Sequence, residues 1–280
     1  MELIKKQIHM NQWKGNVTTQ ITLDDDFIVP DTLDDMEQVM LDTGEIQIET
    51  VKNQGDKVAV KGKLEFQVLY RKESGGLQTL GGNIPFVNVQ GLEEKDYVGL
   101  NWMLEDLNTD MINSRKLGVQ AIITLQVRVE TLRDVEAAVD VDIESNSRPA
   151  GAGMSDTDGA GQVQVETLKR TANAAAIAVR RKDTYRIKEE LSLTGGKPNI
   201  GQLLWREMKL RDVTAKPLDG RLHLDGELSV FVIYGAEDEN MPVQWLEETI
   251  PFSGDMEMGD VKEDQIPMVT VRLAHKDMEA

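Results

Sequence analysis

The chain has no cysteine among its 280 residues. That absence removes disulfide staples, thiolate metal ligands and a cysteine nucleophile together, and it fits a reducing compartment. Histidine is nearly as scarce, limited to His9, His223 and His275. His9 and His275 stand near the two ends and His223 falls on the polar side of an alternating strand, so no nucleophile and base can be paired, and His223 reads as a solvated strand residue. Long apolar runs are missing as well. No stretch reaches the roughly 18 uninterrupted apolar residues of a membrane span, and the opening MELIKKQIHMNQWKGN is broken by Lys5, Lys6, Gln7 and His9, which leaves no signal-peptide core. Positive charge is in deficit: 31 Lys plus Arg face 49 Asp plus Glu, giving a net charge of −18 and a pI near 4.6. Such a surface repels nucleic acid and anionic lipid, favours a basic or cationic partner, and also serves solubility. These absences predict a soluble, cytoplasmic protein without membrane insertion.

What the chain does have is a duplication. Lys57 to Tyr70 reads KVAVKGKLEFQVLY and Arg221 to Tyr234 reads RLHLDGELSVFVIY, with Gly62/Gly226, Leu64/Leu228, Val68/Val232 and Tyr70/Tyr234 identical. Each copy is followed by a polar loop and then Ile84-Pro85-Phe86 or Ile250-Pro251-Phe252, the second loop being two residues longer. Upstream, Gln20 to Val29 aligns with Thr184 to Leu193, and Met36-Val39-Met40 aligns with Ile200-Leu203-Leu204. A repeat this long is a duplicated domain, because solenoid units run only about 20 to 50 residues.

Alternation sets the fold class. Val58, Val60, Leu64, Phe66, Val68 and Tyr70 share one face of a strand while Lys61, Lys63, Glu65 and Gln67 share the other, and Val119 to Val129 repeats the pattern. Ile46 with Ile48, Tyr97 to Leu107 and Val135 to Ile143 give further strands. Glycine inside the apolar register at Gly62 and Gly226 marks a bend or bulge. The i, i+3, i+4 spacing at Met36 and Ile200 predicts a short helix in each copy, and Glu166 to Arg181 has helical composition between strand-like flanks, VQVETL and DTYRIK. The expectation is a mainly β protein, two tandem β-sandwiches or open barrels, each with a short helix.

Candidate chemistry is thin. Asp156-Thr-Asp158-Gly-Ala160-Gly161 imitates the start of a calcium loop but fails at Ala160 and Thr167, where ligands are required. Asp24-Asp25-Asp26 and Asp34-Asp35 read as solvated turns, since the second copy replaces the first run with Lys188-Glu189-Glu190. Gly75-Gly76, Gly81-Gly82 and Gly195-Gly196 lack phosphate-loop spacing and read as turns. Of Trp13, Trp102, Trp205 and Trp245, Trp205 is expected to pack beneath its amphipathic turn, and Trp245 to be the exposed one. No catalytic residue, cofactor cradle or metal site emerges, and no interaction residue is assignable.

The ordered set formed by Lys197-Pro198-Asn199-Ile200 (weaker as Pro30-Asp31-Thr32), the V-x-V-x-G-x-L strand from Val58 to Tyr70, Ile-Pro-Phe, and Met111-Ile112-Asn113-Ser114-Arg115-Lys116 resembles the SPOCS domain of clostridial sporulation proteins, specifically SipL-like spore coat morphogenetic proteins. The resemblance implies a non-enzymatic assembly protein, working in the mother-cell cytoplasm at the forespore surface among spore coat proteins. It further implies contact with the coat's basement-layer ATPase through a LysM domain, for which these residues contain no counterpart. The domain plan is then residues 1–146 as a first SPOCS-like domain, 147–162 as a flexible linker and 163–280 as a second. That second domain is expected to be cut short, since Ala280 aligns near Ser114 and the counterpart of Val119 to Val129 is missing. An apolar edge left open that way predicts a dimer or larger assembly, or disorder over residues 255–280. The alternative reading is a carbohydrate-binding module for cell-wall or cortex glycan, for which a flat row of exposed aromatics is the signature.

Overall fold

A computed structural model of the chain describes residues 2–53, 57–91, 97–142, 168, 176–193, 195–238, 240 and 242–280. Its strands are β1 (Glu2–Ile28), β2 (Met36–Asn53), β3 (Lys57–Lys72), β4 (Leu77–Gly91), β5 (Tyr97–Asn113), β6 (Lys116–Asp142), β7 (Ile200–Leu218), β8 (Arg221–Ala236) and β9 (Val243–Glu257). They form three three-stranded sheets, ordered β1-β6-β5, β2-β3-β4 and β7-β8-β9. No helix among the described residues is long and apolar enough to cross a membrane.

The alternation read from the sequence determines which face is buried. Val58, Val60, Leu64, Phe66, Val68 and Tyr70 of β3 enter a core that also receives Leu117, Val119, Ala121, Ile123, Leu125 and Val127 of β6. Two sheets of the first copy thus share one interior, and β6 is the middle strand of its sheet. Each large aliphatic side chain removed from water there contributes about 1.5–3 kcal/mol.

The helical turn expected at Met36 and at Ile200 is not present: both stretches are strand. Register shifts fall between Met36/Gln38 and Val39/Leu41 in β2, and between Ile200/Gln202 and Leu203/Trp205 in β7. A bulge adds one residue and resets the alternation, so inward side chains recur three apart and imitate one turn of helix. The glycine pairs divide similarly. Gly75-Gly76 and Gly195-Gly196 occupy turns with positive φ, but Gly81-Gly82 lies inside β4. There Gly82 faces Phe66, whose ring a methyl group would meet at 2.6 Å.

The chain separates into two compact units. One comprises residues 1–12 and 131–178, and among its described residues Lys5 Nζ pairs with Glu136 at 3.0 Å and His9 Nδ1 with Asp134 at 2.5 Å, while the Ile177 amide donates to the His9 carbonyl. The other comprises residues 13–130 and 179–280. Within it the two copies touch through Leu69 of β3 and Leu77 of β4, which meet Leu204 and Trp205 of β7 and Phe231 and Ile233 of β8. The expected linker at 147–162 and the Asp156 loop lie outside the described residues, as does most of the helix-like stretch. Its described end, Ala176–Arg181, is irregular, and so is Asp183–Lys188, expected as strand.

Candidate interaction surface

The features repeated in both copies are ties between strands. Gly62 pairs across the ladder with Phe86, and Gly226 with Phe252. A methyl group at Gly62 would lie 2.6 Å from the Gln47 carbonyl oxygen and 2.7 Å from Phe86 Cζ; at Gly226 it would lie 2.6 Å from Phe252 Cζ. The glycine thus makes the space that the phenylalanine ring of the tripeptide covers, which is why the two motifs travel together. A bulge sits beside each glycine in the neighbouring strand, between Ile48/Thr50 and between Arg211/Thr214.

Tyrosine closes each copy at the other end of the same strand. The Tyr70 hydroxyl lies 3.0 Å from both the Asp34 carbonyl oxygen and Gln78 Oε1, and burial pushes its pKa up. The acidic run beside it is consumed by cations. Lys72 and Ser74 bond the Asp34 carboxylate and hold its pKa below the usual value. Arg115 places Nη1 on the Leu33 carbonyl at 2.8 Å and on Asp35 at 3.0 Å, and Nη2 on Asp31 at 3.0 Å. Backbone bonds complete this latch, from the Val29 amide to the Arg115 carbonyl and from the Met36 amide to the Ser114 carbonyl, both 2.9 Å. Asp26 is likewise paired with Lys116 at 2.5 Å. The sequence shows Arg115 only as a member of a turn motif, and no spacing rule reveals that it closes on carboxylates about 80 residues upstream.

His223 is not merely solvated. Its Nδ1 lies 2.5 Å from Asp255, its Nε2 3.1 Å from Asp225 and 3.4 Å from Ser253 Oγ, and Arg221 pairs with Asp255 at 3.0 Å. Asp255 is the main cause of a raised imidazole pKa, and the imidazole in turn lowers that of Asp255. A carboxylate on each ring nitrogen favours the charged ring, and the nitrogen a hydroxyl would need is occupied. No group of three or more His, Asp or Glu side chains among the described residues is arranged to hold a metal ion.

Trp205 is buried between the copies, whereas Trp245 is 55% exposed with Lys197 Nζ 4.6 Å above its ring. Trp102 carries the Arg272 guanidinium at 3.9 Å, and Trp13 is exposed on β1. Trp13 and Trp245 therefore belong to different sheets.

The second copy differs most in its second layer. Leu191 and Leu193 from one extended segment and Leu273 and Met278 from another pack onto Leu228, Val230 and Val232 of β8. By the alignment of the copies these segments take the places of β1 and β5. Neither is a strand, and among the described residues no backbone-to-backbone hydrogen bond joins 182–193 or 266–280 to a neighbour.

No curated protein and no solved structure matches the chain. A family model described as SipL, SPOCS domain, matches twice, over residues 35–112 and 199–280. Each match starts at the loop beside a β2-type strand and runs through the glycine, tyrosine and Ile-Pro-Phe ties described above, and together they cover more than half of the sequence. The chain belongs to the SipL SPOCS-domain family of sporulation proteins and carries two copies of the domain.

Proposed function

We propose that the chain is a non-enzymatic assembly protein of endospore coat morphogenesis, acting through contacts with other proteins at the forespore surface in the mother-cell cytoplasm. The observation that carries this reading is that what the two SPOCS copies share is strand-to-strand architecture: the Gly62–Phe86 and Gly226–Phe252 pairs and the tyrosine ties. The acidic and histidine groups that could have done chemistry are occupied by Arg115, Lys72, Lys116, Asp225 and Asp255. The partners are spore coat proteins, among them, by family analogy, the coat's basement-layer ATPase. Glycan binding is the weaker reading, because the exposed tryptophans stand on different sheets and one is covered by a lysine. A pull-down from sporulating-cell extract tests the proposal. Recovery of coat proteins or the ATPase is expected; retention on purified cell-wall or cortex glycan with no coat protein recovered would overturn it.

A further inference from the structure

We infer that residues 272–278 form a strap: anchored on the second copy, they dock on a face of the first made by Glu45, Asn101 and Trp102, and so hold the two copies in one orientation.

The receiving face is built by strands from two different sheets. Glu45 lies on β2, and Asn101 and Trp102 lie on β5. Gly44 lets these two strands approach closely, since a methyl group there would meet the Leu104 and Leu107 side chains at 2.9 and 3.1 Å. The face therefore offers an indole ring, an amide oxygen and a carboxylate, a set that suits cations.

The strap brings two. The Arg272 guanidinium lies 3.9 Å from the centre of the Trp102 ring, and its Nη2 is 3.2 Å from Asn101 Oδ1. Burial holds the Arg272 pKa below its ordinary value, and desolvation of that kind strengthens the attraction of a cation to a ring. Lys276 Nζ lies 2.7 Å from Glu45 Oε2. The apolar residues of the same segment turn to the second copy. Leu273 and Met278 pack onto the cluster of Leu228, Val230 and Val232, and Arg206 of β7 donates to the Met278 carbonyl at 3.2 Å. One short segment thus contacts both copies, with cations toward the first and apolar side chains toward the second.

The other contact between the copies gives the strap its consequence. Leu69 and Leu77 meet Leu204, Trp205, Phe231 and Ile233, and the Thr79 hydroxyl donates to the Leu204 carbonyl. A single small contact leaves two domains free to turn about it. A second one, made on β2 and β5 and not on β3 and β4, removes that freedom. Release of the strap would restore the motion and uncover the Trp102 ring.

The test exploits the absence of cysteine from the 280-residue chain. Val87→Cys on β4 and Thr249→Cys on β9, both at exposed positions, provide two spin-label sites, and pulsed dipolar EPR reads the distance between them. A single narrow distribution is expected. Arg272→Ala combined with Lys276→Ala should replace it with a broad one, while Lys209→Ala, which removes an ion pair with Glu207 inside the second copy, should leave it unchanged. In the same double variant the indole N–H signal of Trp102 should shift in NMR spectra and that of Trp13 should not. Amide protection of β8 should be retained, which separates release of the strap from unfolding of the second copy. A distribution as narrow in the double variant as in the parent, or already broad in the parent, overturns the inference. So does an unmoved Trp102 signal, and so does loss of β8 protection, which would make 272–278 part of the second copy's own core.

Discussion

The Tyr70 hydroxyl lies 3.0 Å from the carbonyl oxygen of Asp34, and Tyr234 repeats the bond at 3.2 Å to the carbonyl of Pro198, the equivalent residue of the second copy. Identity of the tyrosine thus preserves a main-chain contact although the residue it touches has changed from an acid to a proline. A side chain that reads only a carbonyl leaves its partner's identity free. Replacing Tyr70 or Tyr234 with Phe should cost about 1 kcal/mol each, the ring packing being retained. Urea denaturation of both variants checks this; a variant as stable as wild type would show the bond to be idle.

The two glycines should respond differently to the same substitution. In Gly62→Ala the new methyl meets backbone, the Gln47 carbonyl at 2.6 Å, as well as the Phe86 ring, whereas in Gly226→Ala the nearest atom is the Phe252 ring. Overpacking predicts about 1–3 kcal/mol of destabilisation in each case. Adding Phe252→Leu should restore part of the loss in Gly226→Ala, and adding Phe86→Leu should restore less in Gly62→Ala. Equal recovery in thermal melts would contradict the backbone assignment.

Arg115 binds one carbonyl and two carboxylates with a planar fork that a lysine cannot reproduce. Arg115→Lys should therefore lose most of what Arg115→Ala loses, about 1–2 kcal/mol. Asp31 is fully exposed, so its pairing adds little and Asp31→Asn should be near neutral. Full stability in Arg115→Lys would reduce the latch to simple charge.

Histidine pairing gives a pH signature. Because the His223 pKa is raised from its ordinary value of 6.5, its contribution is complete below pH 6.5 and is lost as pH rises through the raised value. Asp255, lowered from 3.8, contributes above that pH and loses its contribution as pH falls through the lowered value. The pair is therefore strongest between pH 3.8 and pH 6.5. NMR titration should place the His223 midpoint above 6.5, and Asp255→Asn should bring it back toward that value; an unmoved midpoint would assign the shift elsewhere.

Much of this architecture was legible because the strands with one buried face alternate strictly. From Val58 to Tyr70 and from Val119 to Val129, period two identifies both the strand and its inner face. Trp245 is exposed as expected, and Trp205 is buried, though against the first copy and not beneath a helical turn. Bulges defeated the same reasoning at Met36 and Ile200, since one added residue turns a period of two into a spacing of three. The outer-face apolar residues Leu69, Phe231 and Ile233 gave no warning that the copies touch through them. Nor did Asp183–Lys188 reveal that a strand-like sequence needs a neighbouring edge: a strand is a relation between segments, and this one has no ladder among the described residues.

The most direct measurement is amide hydrogen exchange on the isolated chain, resolved to the equivalent segments of the two copies. Amides in 20–28 and 100–111 that face β6 should exchange on the order of a hundredfold more slowly than those in 184–193 and 268–278, which have packing but no ladder. Equal, slow exchange in both copies would mean that the second layer of the second copy is already complete, and would contradict the account.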